Sequence, residues 1–170
     1  VFEEDNMILW INGSFGVGKT TISEELNKLI EGSFVYDPEK IGSFLRDNIP
    51  SNYNDFQDYE LWRVLNFEIL KQLVEDYKVV IVPMTMTNKQ YYEEIIGKLE
   101  KNNIKIKHLI LTASKENIFK RLDFREDTTE WSYQQVDRCL QAFENEIIGE
   151  NISTDNKSIE DIVKEILYII

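Results

Sequence analysis

The run Gly13-Ser14-Phe15-Gly16-Val17-Gly18-Lys19-Thr20 carries the most plainly written chemistry in this chain. It fits the G-x-x-x-x-G-K-[ST] pattern of a phosphate-binding loop. In such a loop the glycines let the backbone wrap around phosphates, so that several N–H groups converge on one anion. The N-terminus of the helix that follows adds partial positive charge. Lys19 is placed to reach the β- and γ-phosphates and the Thr20 hydroxyl to ligate Mg²⁺, with Thr21 continuing into the helix. ATP and Mg²⁺ are therefore the expected cofactors. A glycine-rich turn without a ligand is the plainer alternative, and the flanks argue against it. An apolar run over 7–12 suits a buried strand and 21–30 reads as a helix, which is the setting this motif needs.

A second set of residues bears on what happens at the phosphates. Most P-loop NTPases place an Asp after another apolar strand, where it holds the Mg²⁺ shell. Here the best such strand, Val79-Val80-Ile81-Val82, is followed by Pro83-Met84-Thr85, with no carboxylate. The strand end with a suitable acid is Asp37, after Phe34-Val35-Tyr36 and before Pro38-Glu39. That weighs against a motor or a GTPase. It favours a small-molecule kinase in which Asp37 orients an acceptor hydroxyl or a metal-bound water, although an Asp before proline is also a common turn residue.

Arg121 and Arg125, four apart, read as one face of a helix just before the polar segment 126–131. A guanidinium there can stack on adenine or clamp phosphates, or simply pair with Glu116, Asp123 or Glu126. The segment 126–131 reads as a mobile lid loop that excludes water when closed. Trp131 within it is either a cap on the site or a packing anchor. Arg138 beyond it could close over the nucleotide, though one charge on a polar helix face is usually solvated. Arg46, Trp62, Arg63, Asn66 and Thr85 fall around the second and third strand ends, where parallel sheets bind ligands, and are the candidate acceptor contacts. Trp62 lies on an apolar stripe and reads first as core. His108 has no partner at metal-ligand spacing and reads as structural. Cys139 has no neighbouring base in the sequence.

The elements that must position these residues follow from periodicity and caps. Residues 39–48 read as a short helix, broken at 49–54, and Asp55 then caps a long helix to about Asp76. The unbroken run 79–82 is typical of a parallel strand covered on both faces. Thr87 with Gln90 reads as a capping box, 104–112 as the fourth strand, and Ser114 as the cap of the helix carrying Ile118, Phe119 and Leu122. Ser132 with Gln135 reads as another capping box. A weak last strand over 151–154 precedes a helix capped by Ser158. Strands and helices alternate throughout, which predicts an α/β fold with a mostly parallel sheet. No linker or repeat interrupts it, so 1–170 reads as one domain.

Composition narrows the partners. The formal net charge is -12, from 31 acidic and 19 basic residues, and the basic ones are scattered. A polyanion such as DNA or RNA would be repelled, so no nucleic-acid partner is expected. The one cysteine suits a reducing cytosol, and no apolar run approaches a membrane span. A signal peptide is not read from the acidic N-terminus, and a cytoplasmic location is expected. Residues 1–6 precede Met7 and read as an N-terminal extension, native or added. The sequence leaves the oligomeric state open.

Several of these motifs together resemble the ATP-binding tunicamycin resistance protein family. They are Ile11-Asn12-Gly13 through Thr20, Val35-Tyr36-Asp37-Pro38-Glu39-Lys40, Leu61-Trp62-Arg63, Ile81-Val82-Pro83-Met84-Thr85, Asp137-Arg138-Cys139 and Thr154-Asp155-Asn156-Lys157-Ser158-Ile159. The resemblance implies a three-layer αβα P-loop kinase-like fold with five parallel strands in the order 2-3-1-4-5. It also implies kinship with shikimate, gluconate and nucleoside monophosphate kinases and with chloramphenicol phosphotransferase. By that resemblance Asp37 contacts the acceptor hydroxyl, Arg121 and Arg125 contact the nucleotide, and Thr154 and Asp155 lie near the adenine. The implied acceptor is a nucleoside antibiotic or a related nucleoside- or sugar-like compound. Two alternatives stay open: a protein that sequesters such a ligand in an ATP-dependent way without chemistry, and a metabolic nucleotide kinase whose anionic acceptor is met by Arg46 and Arg63.

Overall fold

The computed structural model describes residues 6–170; most of the segment read as an N-terminal extension lies outside the described residues. Strand β1 (Met7–Gly13) is the centre of a five-stranded parallel sheet. Around it stand β2 (Ser33–Val35), β3 (Val79–Pro83), β4 (Lys105–Thr112) and β5 (Glu150–Ser153) in the order β2-β3-β1-β4-β5. The register pairs Leu9 with Ile81 on one side and with Lys107 on the other.

Successive side chains of a strand point to opposite faces, and β1 divides its residues accordingly. Ile8 and Trp10 pack with Val80 and Val82 into a core closed by α2 (Glu39–Asn48) and α3 (Glu60–Asp76). A composite helix closes it further, made of α4 (Lys89–Tyr92), a π turn over Glu93–Gly97 and α5 (Lys98–Lys101). Leu9 and Ile11 face the other way, into a core closed by α1 (Lys19–Leu29) and α8 (Ile159–Ile169). Both faces are covered, which is why the central strands read as unbroken apolar runs. A smaller cluster joins α6 (Lys115–Asp123) to α7 (Glu130–Asn145) and reaches Phe15 of the loop.

Five local readings need correction. Asp55 caps a 3₁₀ turn over Phe56–Asp58, not the long helix, because the extended backbone of Tyr59 (φ -67°, ψ 119°) separates the turn from α3. The cap of α4 is Asn88, whose side chain accepts from the Tyr91 amide, and not Thr87. Helix α7 starts two residues before the supposed Ser132 cap, so Glu130 and Trp131 belong to its first turn and the lid loop is shorter than 126–131. Arg125 lies beyond the end of α6 at Asp123, so it does not share that helix with Arg121. The last strand also ends at Ser153, leaving Thr154 as the first residue of the loop after it.

Candidate active site

The loop after β1 is built by backbone conformations that side chains resist. Gly18 has φ +104° at the N-cap of α1, and no side chain caps that helix, so its first amides stay available for an anion. Gly16 has φ +77°, and a Cβ there would come within 2.9 Å of the Leu122 side chain. The loop therefore rests directly on α6.

Three long-range polar groups hold the loop in place. Buried Asn12 accepts from the Gly13 and Met86 amides through Oδ1 and donates to the Met86 carbonyl and to His108 Nε2. His108 Nδ1 sits 2.9 Å from the Ile148 carbonyl, which can only accept, so the proton is on Nδ1 and Nε2 is the acceptor. Burial pushes this imidazole down, in keeping with the neutral form. Thr85 donates its hydroxyl to the Gly13 carbonyl at 2.7 Å. Arg121 donates to the Val17 carbonyl at 3.3 Å and to the Thr154 hydroxyl and carbonyl at 2.9 and 3.2 Å, pinning the loop to the end of β5.

Lys19 lies inside this frame. Its amine donates to the Gly13 and Ser14 carbonyls at 3.1 and 2.9 Å, and burial pushes its pKa down to about 8. Thr20 and Asp37 line one cleft of about 490 Å³ together with Glu39. Asp37 Oδ1 accepts from the Glu39 amide at 2.9 Å, which fixes the carboxylate at the start of α2; its Oδ2 has no partner among the described residues. Desolvation, with Asp37 adding to it, raises the Glu39 carboxyl, while Lys19 and Arg125 pull it the other way. Arg125 is half exposed and pairs with Asp127 through both Nε and an amino nitrogen, at 3.0 and 2.7 Å. Asp155 accepts from the Ser114 amide and from Asn117, and these bonds hold its carboxyl below the usual range.

The residues singled out for the acceptor divide in two. Trp62 is fully buried and donates to the Pro38 carbonyl at 3.0 Å, one residue from Asp37. Asn66 is buried as well, accepting from the Tyr36 hydroxyl and donating to the Trp62 carbonyl. Arg63 is 8% exposed; it pairs with Glu94, donates to the Gln57 carbonyl at 2.6 Å and lies 4.2 Å from the Tyr91 ring centre. Arg46 is exposed and stacks on Phe56. On the far side of the loop, the Trp131 ring meets Phe15 edge-on at 5.2 Å, and Lys19 lies 5.7 Å from the same Phe15 ring. Cys139 is fully buried under α7, where desolvation raises the thiol.

Residue-type reasoning passed over Asn12, Glu39 and the pair Asp55 and Asp58. Asn12 had a signal, because a polar side chain closing an apolar strand run must find partners. Glu39 stands two residues after Asp37 on the same turn. Asp55 read only as a helix cap and Asp58 was not singled out; the fold brings both to a cavity with Trp131 and Arg138.

The family profile described as AAA domain matches residues 8–145. The chain belongs to that family. The solved structure of Deinococcus radiodurans tunicamycin resistance protein superposes with a TM-score of 0.81 at 26% identity, covering 96% of this chain and 95% of that one. This bears out the resemblance read from the motifs. A gluconokinase from Sinorhizobium meliloti 1021 matches with a TM-score of 0.65 at 16% identity, over 98% of this chain and 91% of that one. Shikimate kinase from Bacteroides thetaiotaomicron matches with a TM-score of 0.62 at 18% identity, over 96% and 97%. These two likenesses concern the fold, which is P-loop kinase-like with the strand order 2-3-1-4-5. No curated protein matches the sequence. No helix among the described residues is long and apolar enough to cross a membrane.

Proposed function

We propose that this single-domain protein is an ATP- and Mg²⁺-dependent phosphotransferase of the cytoplasm, acting on a hydroxyl of a nucleoside- or sugar-like small molecule. The observation that carries the reading is the shared cleft. Thr20, in the first turn of α1 next to Lys19, and Asp37, just after β2, face one open volume. That is where a terminal phosphoryl group and an acceptor hydroxyl would meet.

The chain's own groups divide the work. The loop amides and Lys19 bind the β- and γ-phosphates, which replace the Gly13 and Ser14 carbonyls as partners of the amine. The Thr20 hydroxyl fits one ligand of a Mg²⁺ ion, which prefers oxygen donors; bound there, the ion would offset charge on the phosphates. Asp37 Oδ2 receives the acceptor's proton as its oxygen bonds to the γ-phosphorus and the bond to the β-bridging oxygen breaks, releasing ADP. Arg125 is close enough to act on Glu39 and Lys19, and leaves Asp127 to meet the transferring group. Arg121, Thr154 and Asp155 shape the adenine side. Trp62, Asn66 and Thr85 support the acceptor side from beneath, with Arg46 at its rim.

A second reading, ATP-dependent sequestration without transfer, draws on β3. Its end carries Thr85 where relatives of this fold class often carry an acid, and the Thr85 hydroxyl is spent on Gly13. ADP release with a bound acceptor separates the two. Transfer predicts acceptor-dependent ADP formation that Asp37→Asn removes while ATP binding persists. Acceptor binding with no ADP formed would leave sequestration.

A further inference from the structure

A cavity of about 270 Å³ is lined by Asp55, Asp58, Tyr91, Trp131, Gln135 and Arg138 among others. Three separate segments build it: the 3₁₀ turn before α3, the start of α4 and the first half of α7. It reaches the loop through Trp131, which packs on Phe15. If the protein is a phosphotransferase, as proposed above, this cavity would hold the body of the acceptor; it shares no lining residue with the cleft of Thr20 and Asp37.

Its charge is the informative feature. The two arginines that would suit an anionic acceptor are withdrawn from it. Arg63 is sealed beneath it between Glu94, the Gln57 carbonyl and the face of Tyr91. Arg46 is stacked outside on Phe56 and is not among the lining residues. What faces the cavity is two carboxylates and one guanidinium. Asp55 Oδ1 accepts from the Gln57 amide and Asp58 Oδ1 from the Tyr91 hydroxyl, so each carboxylate is fixed by one oxygen. Arg138 has no hydrogen-bonding partner among the described residues. Among the lining side chains two carboxylates face one guanidinium, which opposes a phosphate dianion; burial raises the Asp55 carboxyl, while the charges of Arg138 and Arg46 pull the other way. A neutral polyol would meet carboxylate oxygens that accept its hydroxyls and two aromatic rings for the apolar face of its ring.

We propose that this cavity selects neutral, hydroxyl-rich acceptors against phosphorylated ones, with Asp55 and Asp58 as the specificity-determining residues. Electrostatic exclusion of this kind is how a site discriminates between ligands of similar shape. The metabolic nucleotide kinase alternative is thereby disfavoured.

Two measurements on the full chain test this. Trp10 and Trp62 are fully buried whereas Trp131 is 37% exposed, so quenchable tryptophan fluorescence reports on the cavity, with Trp131→Phe as the control. Caesium is expected to quench Trp131 several-fold more efficiently than iodide, and Asp55→Asn with Asp58→Asn is expected to bring the two near parity. Both asparagines keep an accepting oxygen, at position 55 for the Gln57 amide and at position 58 for the Tyr91 hydroxyl. The second measurement is calorimetric titration with Mg²⁺-ATP present, using uridine against uridine 5′-monophosphate and N-acetylglucosamine against its 6-phosphate. At least one neutral member should bind ten-fold or more tightly than its phosphorylated partner, and the double variant should narrow that ratio at least five-fold. Tighter or equal binding of the phosphorylated members, binding of neither, or ratios unmoved in the double variant would overturn the proposal. ATP titrated alone reports separately on the nucleotide site, so a failure there is distinguishable from a failure here.

Discussion

The glycine-rich loop and the cavity beside Trp131 are held together in different ways. Around the loop, Lys19, Thr85, Arg121 and Asn12 all bond to backbone atoms of Gly13, Ser14, Val17 or Met86. Their geometry is fixed by the main chain, as suits a ligand part that is always the same triphosphate. In the proposed acceptor cavity, Asp55 and Asp58 come from one turn and Arg138 from α7, and each keeps polar capacity unspent. A surface of that kind could be retuned for a new ligand without disturbing the loop.

The contrast can be broken most forcefully at Lys19. Lys19→Ala should lower ATP turnover by about a hundred- to a thousand-fold, as loss of a charge-stabilising group does, with the circular dichroism spectrum unchanged. Unchanged ATP affinity and turnover in the folded variant would refute the nucleotide site. Asp37→Asn should cost about a hundred-fold or more in acceptor-dependent ADP release and leave ATP affinity within about two-fold, because a proton acceptor works in the reaction and not in nucleotide binding. If ATP affinity fell as far as turnover, Asp37 would belong to the nucleotide side. Arg121→Ala should weaken ATP by roughly ten-fold, worth about 1.4 kcal/mol, and also lower the melting temperature, since it removes the tie between Val17 and Thr154. An effect on ATP with no effect on melting would mean the arginine acts on the nucleotide alone.

The smallest expected effect concerns pH. The Lys19 pKa is pushed down to about 8 from an ordinary 10.5, so above about pH 8 the amine loses its proton before ATP arrives. ATP affinity should fall as pH rises through that value in calorimetric titrations. For stability the sign runs the other way. The folded state binds fewer protons than the unfolded one between about 8 and 10.5, so the cost of the buried charge is fully present below 8 and fades across that window. Lys19→Met should therefore raise the nucleotide-free melting temperature by a few degrees at pH 7, equivalent to about 1 kcal/mol, with the gain shrinking above pH 8. A gain constant to pH 10 would show that it comes from packing and not from charge.

Most of the fold could be read from the sequence because its signals are local. The apolar runs of β1 and β3 and the caps at Ser114 and Ser158 all appear where periodicity and capping placed them. The phosphate loop was legible for the same reason, being contiguous. The helix starts near Asp55, Thr87 and Ser132 were misplaced because each stretch offers several capping side chains within a turn, and packing chooses among them. The acceptor side was the least legible. Nothing near Arg63 in the sequence announces Glu94, thirty-one residues away, which turns an exposed-looking cation into a buried one. Asp58 likewise gains its meaning from Tyr91 and from Trp131 across the cavity.

Mass spectrometry of acceptors incubated with the protein, ATP and Mg²⁺ tests the central claim most directly. The panel should hold tunicamycin, uridine and N-acetylglucosamine beside uridine 5′-monophosphate and N-acetylglucosamine 6-phosphate. A phosphotransferase with this cavity predicts the mass gain of one phosphoryl group on a neutral member, absent with Lys19→Ala and Asp37→Asn. A neutral compound bound tightly and recovered unaltered, or a gain confined to the phosphorylated members, would contradict the account.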